Sequence, residues 1–424
     1  MIKTEEKQEK AILAGVHTGS GDILNDTTDE SIAELCELAK TANVETVGIC
    51  IQNRIAPDSA TYVGEGKLEE IRLAACETGA TTVIFDDELS PVQIRNIGEA
   101  LDLKVIDRTM LILDIFAARA ITKEGKIQVE LAQLKYMMPR LVGYGNSLSR
   151  LGGGIGTRGP GETKLETDRR HIRKKISSLS EELKDIASHR ELLRSRRKKD
   201  GRINVALVGY TNAGKSSLLN YLTEANVLAQ DKLFATLDPT IRDLTLSDRR
   251  KIALIDTVGF IRKLPHHLIK AFKSTLEEAA LADVLIHVID SSNPEFLNHI
   301  QIVCDILDQL GATGKPTVCV LNKIDLCEDK NFLIKNVPNS TYTVFTSLKT
   351  HEGLDDLMRA IENTVPGKKE KVVLLIPYSE GAIVESLHKN QLVISEDYTE
   401  NGTKICAMID EICYNKLRNY VVRQ

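Results

Sequence analysis

Apolar residues follow two different rhythms along this chain, and the places where the rhythm changes mark its parts. Over residues 1–120, short apolar runs alternate with amphipathic stretches. Ala11–Val16, Val44–Ile51, Thr81–Phe85 and the short Val105–Ile106 read as strands. Glu30–Lys40, Lys67–Glu77 and Pro91–Leu101 carry helical spacing between them. Such alternation implies a parallel sheet, because each crossover helix returns the chain to the same end of the sheet. The expectation is a small α/β domain over residues 1–123.

From residue 124 the period lengthens. Ile127, Leu131, Leu134, Met138 and Leu141 recur every three or four residues and predict one apolar helix face. A glycine cluster follows, from Gly152 to Gly161. A second helix is predicted over about 162–197. Its apolar positions Ile172, Ile176, Leu179, Leu183, Ile186 and Leu193 step by four and three, with Arg190 interrupting the last step. This is a coiled-coil seam. Two such helices joined by glycines predict an antiparallel hairpin over residues 124–200 with a glycine-rich tip.

Strand–helix alternation resumes at Ile203 and runs to about Thr364, giving a second α/β unit over 201–366. Val365-Pro366-Gly367-Lys368-Lys369 reads as a linker. Strand-like Val372–Ile376 and Ile405–Ile409 flank helical Glu380–His388, which predicts a small α/β appendage over 367–424. No run of 18 apolar residues occurs, so no transmembrane helix is expected. The charged first ten residues do not resemble a signal peptide. A cytoplasmic, monomeric protein is the expectation.

Charge changes this picture at one place. The whole chain carries a net charge of −5, which argues against nucleic-acid binding. Yet Arg150–Arg202 holds 16 Lys and Arg against 8 Asp and Glu, a local charge of +8, and the remainder carries −13. A basic block in an acidic protein is a candidate polyanion contact, or else a solvated helix face. The eight cysteines form no C-x-x-C pair and no His-flanked cluster, which fits reduced thiols and no metal site.

The candidate chemistry lies in the third part. Strand Val205–Val208 runs into Gly209-Tyr210-Thr211-Asn212-Ala213-Gly214-Lys215-Ser216 and then helix Ser217–Leu222. This is G-x-x-x-x-G-K-S in its strand–loop–helix context. Glycines let the backbone approach phosphate, and the amides and helix N-terminus supply positive potential. Lys215 is expected at the β- and γ-phosphates and Ser216 on Mg²⁺. Strand Ile252–Ile255 ends in Asp256-Thr257-Val258-Gly259, 40 residues after Ser216. Asp256 can hold a Mg²⁺-bound water, and the Gly259 amide can sense the γ-phosphate. Strand Val318–Leu321 ends in Asn322-Lys323-Ile324-Asp325. The Asp325 carboxylate can accept from guanine N1–H and the exocyclic amine, which adenine does not present. Lys323 can lie along the base. Ser347-Leu348-Lys349 follows strand Thr343–Phe345 and suits a backbone contact that closes the pocket. A GTP-binding site is the result.

Between the first two motifs lies Leu233-Phe234-Ala235-Thr236-Leu237-Asp238-Pro239-Thr240. A threonine here would ligate Mg²⁺ only beside a γ-phosphate. Thr236 and Thr240 both qualify. Thr236 is preferred because A-T-L-D-P resembles the T-T-L-x-P switch of translation-type GTPases. The first switch is then 228–242 and the second 257–273. Where Ras-type enzymes place a water-positioning Gln, this chain has Phe260. Intrinsic hydrolysis is then expected to be slow, or the catalytic group comes from elsewhere, from a partner or with the help of a monovalent cation. Asn212 stands where potassium-activated GTPases use a P-loop Asn as a K⁺ ligand.

Leu151–Arg170, L-G-G-G-I-G-T-R-G-P-G-E-T-K-L-E-T-D-R-R, resembles the signature of the HflX GTPases. The order of parts over about 1–365 is similar as well. The resemblance implies a GTPase that binds the large (50S) ribosomal subunit and dissociates stalled or idle ribosomes. It implies that the hairpin tip probes ribosomal RNA and that the ribosome stimulates hydrolysis. Arg150, Arg158, Lys164, Arg169 and Arg170 are then candidate RNA contacts. In the first part, Tyr62-Val63-Gly64-Glu65-Gly66-Lys67 could cradle a phosphate, or form a tight strand-to-helix turn. Two other readings stand beside this one. An RNA-modifying GTPase is disfavoured because residues 1–120 carry no catalytic Cys or metal cluster. A nucleotide-gated scaffold that hydrolyses little is compatible with Phe260.

Overall fold

A computed structural model describes residues 8–19, 29–140, 164–199, 202–223, 233–234, 237–265, 268, 273–327, 337, 339–367, 369–389 and 392–422. The first sheet is all parallel, in the order β2-β1-β3-β4. Its strands are β1 (Glu9–His17), β2 (Val44–Asn53), β3 (Thr82–Phe85) and β4 (Lys104–Asp107). Helices α1 (Asp29–Thr41), α2 (Glu65–Thr78) and α3 (Pro91–Leu101) make the crossovers. α3 begins where its sequence says it should. Ser90 and Gln93 form a reciprocal capping box, and Pro91 occupies the first turn, where no amide is needed.

Helix α4 (Arg108–Arg119) was not legible as a separate element. Leu111, Ile112, Leu113, Ile115 and Phe116 are all buried, so it shows a continuous apolar run rather than a 3.6-residue period. The Asp107 carboxylate caps it by accepting from the Met110 amide at 2.9 Å. Helices α5 (Lys123–Arg140) and α6 (Lys164–Lys199) form the hairpin. Glu124 near the start of α5 pairs with Arg190 late in α6, and Glu130 further along α5 pairs with Lys175 earlier in α6, as in an antiparallel hairpin; Lys123 also pairs with Glu182. Arg190, the break in the heptad, therefore has a partner across the seam. Arg150, Arg158 and the glycine cluster lie outside the described residues, as does the side chain of Lys164. Arg169 is half-buried and Arg170 exposed near the start of α6.

The second sheet has six strands in the order β10-β9-β8-β5-β7-β6. They are β5 (Ile203–Gly209), β6 (Thr240–Thr245), β7 (Lys251–Asp256), β8 (Val284–Asp290), β9 (Thr317–Asn322) and β10 (Tyr342–Phe345). All neighbours are parallel except edge strand β6, which runs antiparallel to β7. The α/β class with a mostly parallel sheet therefore holds. Helices α7 (Lys215–Thr223), α8 (Lys273–Leu281), α9 (Phe296–Gln309) and α10 (Leu354–Thr364) cover it. The C-terminal sheet is antiparallel, β11 (Lys369–Ile376), β13 (Gly402–Asp410) and β12 (Val393–Thr399), with α11 (Gly381–Lys389) and α12 (Glu411–Leu417). β12 was not expected. Most of its residues are at least partly exposed, and Ser395, Glu396 and Asp397 give it a poor strand composition. No described helix is long and apolar enough to cross a membrane.

The core does not stop at the boundary between the first two sheets. Leu35, Ile112, Phe116 and Val129 share one buried cluster with Val208, Phe234, Leu237, Phe260 and Leu276. A polar network threads the same interface. Arg108 is fully buried and bridges Glu34 of α1 and Asp86, which follows β3. Asp86 also accepts from Ser31 Oγ at 2.7 Å and from Lys263 Nζ at 2.6 Å. Burial alone would push the Asp86 carboxyl up, but Arg108 and Lys263 outweigh it and hold it below its ordinary value. Glu34 is shifted the other way, because burial dominates over Arg108 there.

Removing Arg108 leaves two buried carboxylates without their shared cation. Arg108→Met is expected to weaken the first sheet by about 3–5 kcal/mol. Native-state hydrogen exchange at the β3 amides measures this. A change below about 1 kcal/mol would contradict the assignment.

Candidate nucleotide site

The P-loop connects the end of β5 to the start of α7, at the carboxyl edge of the parallel strands, where open α/β sheets bind their ligands. Two of its glycines are required by space. Gly209 sits at φ 150°, and a side chain there would strike the Val288 carbonyl. Gly214 sits at φ 99° against the Asn322 amide. Asn212 adopts φ 59°, a left-handed value that Asn tolerates better than most residues. Ser217 is exposed on the first turn of α7.

Lys215 is buried, and its ammonium donates to the carbonyls of Gly209 at 3.1 Å and Tyr210 at 2.7 Å. Burial lowers its pKa to about 8, against the opposing pull of Asp256. Ser216 Oγ donates to Asp256 Oδ2 at 2.7 Å. A hydroxyl and a carboxylate side by side at the mouth of a phosphate loop are hard oxygen donors of the type that suits Mg²⁺, so the residues fit that ion. Thr211 is buried, and its Oγ1 has no hydrogen-bond partner among the described residues. Such an atom is one that a phosphate oxygen or a water would satisfy.

Thr257 donates from its hydroxyl to the Leu207 carbonyl at 2.6 Å, which pins the end of β7 to β5. Val258 is buried, and Gly259 follows. A Cβ on Gly259 would come within 2.9 Å of Thr211 Cα and 3.0 Å of Lys215 Nζ, so the backbone approaches the P-loop as closely as possible. Phe260 then forms a bridge to the P-loop. Its carbonyl accepts from the Thr211 amide at 2.8 Å, and its amide donates to Gly209 at 3.1 Å. Its ring is fully buried. Position 260 thus serves packing and cannot orient a water.

The residues expected to read the base converge from two loops. Asn322 Nδ2 donates to the Ala213 carbonyl at 3.0 Å, tying β9 to the P-loop. Lys323, at φ 64°, pairs with Asp290 at 2.6 Å. Asp325 is exposed and accepts from Ser347 Oγ at 2.7 Å. Ile324 is buried, Leu348 half-buried and Lys349 exposed. Asn322, Lys323, Asp325 and Ser347 are therefore brought together.

The first switch is only partly described. Thr236 and Ala235 lie outside the described residues. Thr240, the other candidate, pairs in register with Asp256 as the first residue of β6. Phe234 packs edge-on against Phe116 at 4.7 Å, and Leu237 is buried. Asp238, expected among the nucleotide contacts, instead turns its carboxylate to the start of α5.

Sequence reasoning missed a further group. The Tyr210 ring stacks on His299 of α9 at 3.7 Å, and its hydroxyl donates to Glu34 and accepts from the Arg262 amide. Lys263, at φ 55°, reaches Asp86 and Asp87, each at 2.6 Å. A cavity of about 370 Å³ lies beside this group, lined by Glu34, Tyr210, Thr211, Asn212, Arg262 and His299. The run Arg262-Lys263, one residue after D-T-V-G-F, was the available signal, and the carboxylate partner of Lys263 lies 177 residues away.

These features define a P-loop GTPase whose phosphate loop and second switch pack against an N-terminal α/β unit. Family models match three successive stretches. One described as "GTP-binding GTPase N-terminal" covers residues 29–117. "GTP-binding GTPase Middle Region" covers 119–197, and "50S ribosome-binding GTPase" covers 204–323. The GTPase HflX of Lacrimispora saccharolytica is 50% identical over 409 residues, 96% of this chain and 95% of that protein. The GTPase HflX of Escherichia coli is 43% identical over 404 residues, 95% and 94% of the two chains. A solved GTP-binding protein from Sulfolobus solfataricus in complex with GDP is 27% identical, with a TM-score of 0.44, covering 84% of this chain and 98% of that one. The chain belongs to the HflX family of GTPases. The similarity extends beyond residue 365 into the C-terminal unit, further than the motifs alone reached.

Burial holds Lys215 near pKa 8 without ligand, and a bound phosphate would favour its protonated form. GDP binding is expected to take up a proton above that pH and to weaken by up to about tenfold per pH unit. Titration calorimetry between pH 7 and 9 measures it. An unchanged affinity across that range, or the same slope in Lys215→Gln, would contradict the assignment.

Proposed function

We propose that this GTPase is a switch that docks on the large (50S) ribosomal subunit and dissociates stalled or idle ribosomes. The observation that carries the reading is the family. A model described as a 50S ribosome-binding GTPase matches the nucleotide-binding unit, and HflX proteins match nearly the whole chain. The basic helix α6 supports it, because Lys and Arg supply affinity for phosphate backbones. Arg150, Arg158, Lys164, Arg169 and Arg170 would contact ribosomal RNA. The protein would act as a cytoplasmic monomer, divided as residues 1–123, 124–200, 201–366 and 367–424.

In this reading Gly209–Ser217 cradles the phosphates, with Lys215 at the β- and γ-phosphates. Ser216 and Thr236 would hold Mg²⁺, which neutralises charge on the phosphates, and Asp256 would hold one of its waters. The Gly259 amide would meet the γ-phosphate. Phe234–Asp238, Thr257 and Val258 frame the site as the two switches. Asn322, Lys323, Ile324 and Asp325 would read guanine, closed by Ser347, Leu348 and Lys349. Asn212 would ligate K⁺. The buried Phe260 favours a catalytic group supplied by the ribosome.

Turnover of GTP with and without purified 50S subunits and 70S ribosomes, in K⁺ and then Na⁺, tests the reading. Stimulation by 50S or 70S, with 70S converted to subunits in sedimentation, is the expected result. No stimulation in either salt would refute it. Asp325→Asn is expected to weaken GTP roughly 10–100-fold and to favour xanthosine nucleotides. Retained guanine preference in competition binding would remove Asp325 from the base site.

A further inference from the structure

The side chain of Asp238 belongs to the first switch by sequence and to the hairpin by contact. Its Oδ2 accepts from the amides of Ile121 and Thr122, both at 2.9 Å. Its Oδ1 accepts from the Thr122 hydroxyl. Thr122 is itself the cap of α5, accepting from the Gly125 amide at 2.9 Å. One carboxylate thus satisfies three donors at the positive end of the helix that leads into the hairpin. Charge-assisted bonds of this kind are stronger than neutral ones. Gly125 is the residue that admits the carboxylate, because a Cβ there would overlap Asp238 Oδ1.

Four residues earlier in the chain, a second anchor lies on the same side. Phe234 packs edge-on against Phe116 of α4, at 4.7 Å and 83°. Both rings are 2% exposed. The first switch is therefore gripped at Phe234 and at Asp238 by α4 and the start of α5, neither of which belongs to the GTPase sheet. Thr236, the expected Mg²⁺ ligand, falls between the two anchors in the sequence.

We propose that Thr122 and Gly125 are positioning residues for GTP hydrolysis: they hold Asp238, and through it the first switch, from the root of the helical hairpin. The same contact carries information outward. A change in the first switch on gain or loss of the γ-phosphate must either keep the three hydrogen bonds to Asp238 or release them at once. This inference rests on the switch reading above, and it names the residues through which the hairpin senses the nucleotide.

The test uses the full chain with Thr122→Val, Thr122→Ser and Gly125→Ala. Thr122→Val removes the hydroxyl donor and keeps the shape. Gly125→Ala drives a methyl against Asp238, and Thr122→Ser restores the hydroxyl. Single-turnover GTP hydrolysis without ribosomes is expected to fall at least tenfold in the Val and Ala variants and to recover in Thr122→Ser. GDP affinity is expected to stay within about twofold, since GDP has no γ-phosphate to engage the first switch. Hydrolysis within twofold of the natural chain in both variants would overturn the proposal. A parallel loss of GDP affinity in both would overturn it as well, because the contact would then serve the fold alone. The ribosome reading fails separately, if the unsubstituted chain shows no stimulation by 50S.

Discussion

The structure depends on a buried charge cluster that neither sheet could hold alone. Arg108 lies between Glu34 and Asp86, and Asp86 is shared with Lys263 of the second switch. Charges taken out of water are costly unless every one is paired with good geometry. Here pairing is complete only when the N-terminal sheet, α1, α4 and the chain after Gly259 are assembled together. Apolar packing continues across the same seam through Phe116, Phe234 and Phe260. The nucleotide site is therefore built against the N-terminal unit, and not merely tethered to it.

Polar contacts tie this site to the N-terminal half of the chain. Tyr210 of the P-loop meets Glu34 of α1. Lys263 meets Asp86 and Asp87. Asp238 caps α5. Each belongs to a segment that contacts phosphate in P-loop GTPases or adjoins one. A switch works by having different contacts in its two states, and these are the contacts available to differ.

Much of the site was legible because its motifs are local. Gly209–Ser216, Asp256–Gly259 and Asn322–Asp325 each follow a buried strand, and glycine is needed where the backbones nearly touch. The hairpin was legible from a heptad whose break, Arg190, proved to be an ion-pair position. Helix α4 was not, because burial on most sides erased its period, and β12 was not, because its edge position tolerates polar residues. Asp238 and Lys263 were beyond reach for another reason. Their partners lie 116 and 177 residues away, and no spacing rule relates a carboxylate to a helix cap in another unit. Nothing in its own segment signals that the Asp238 carboxylate meets the start of α5.

The most direct measurement is amide hydrogen exchange of the intact protein with GDP and with a non-hydrolysable GTP analogue. The account predicts that exchange changes with nucleotide at residues 116–125 and around Glu34 and Asp86, as well as in the P-loop and switches. Changes confined to the P-loop, the switches and the base-reading loops would contradict it, since the interface would then be indifferent to the nucleotide.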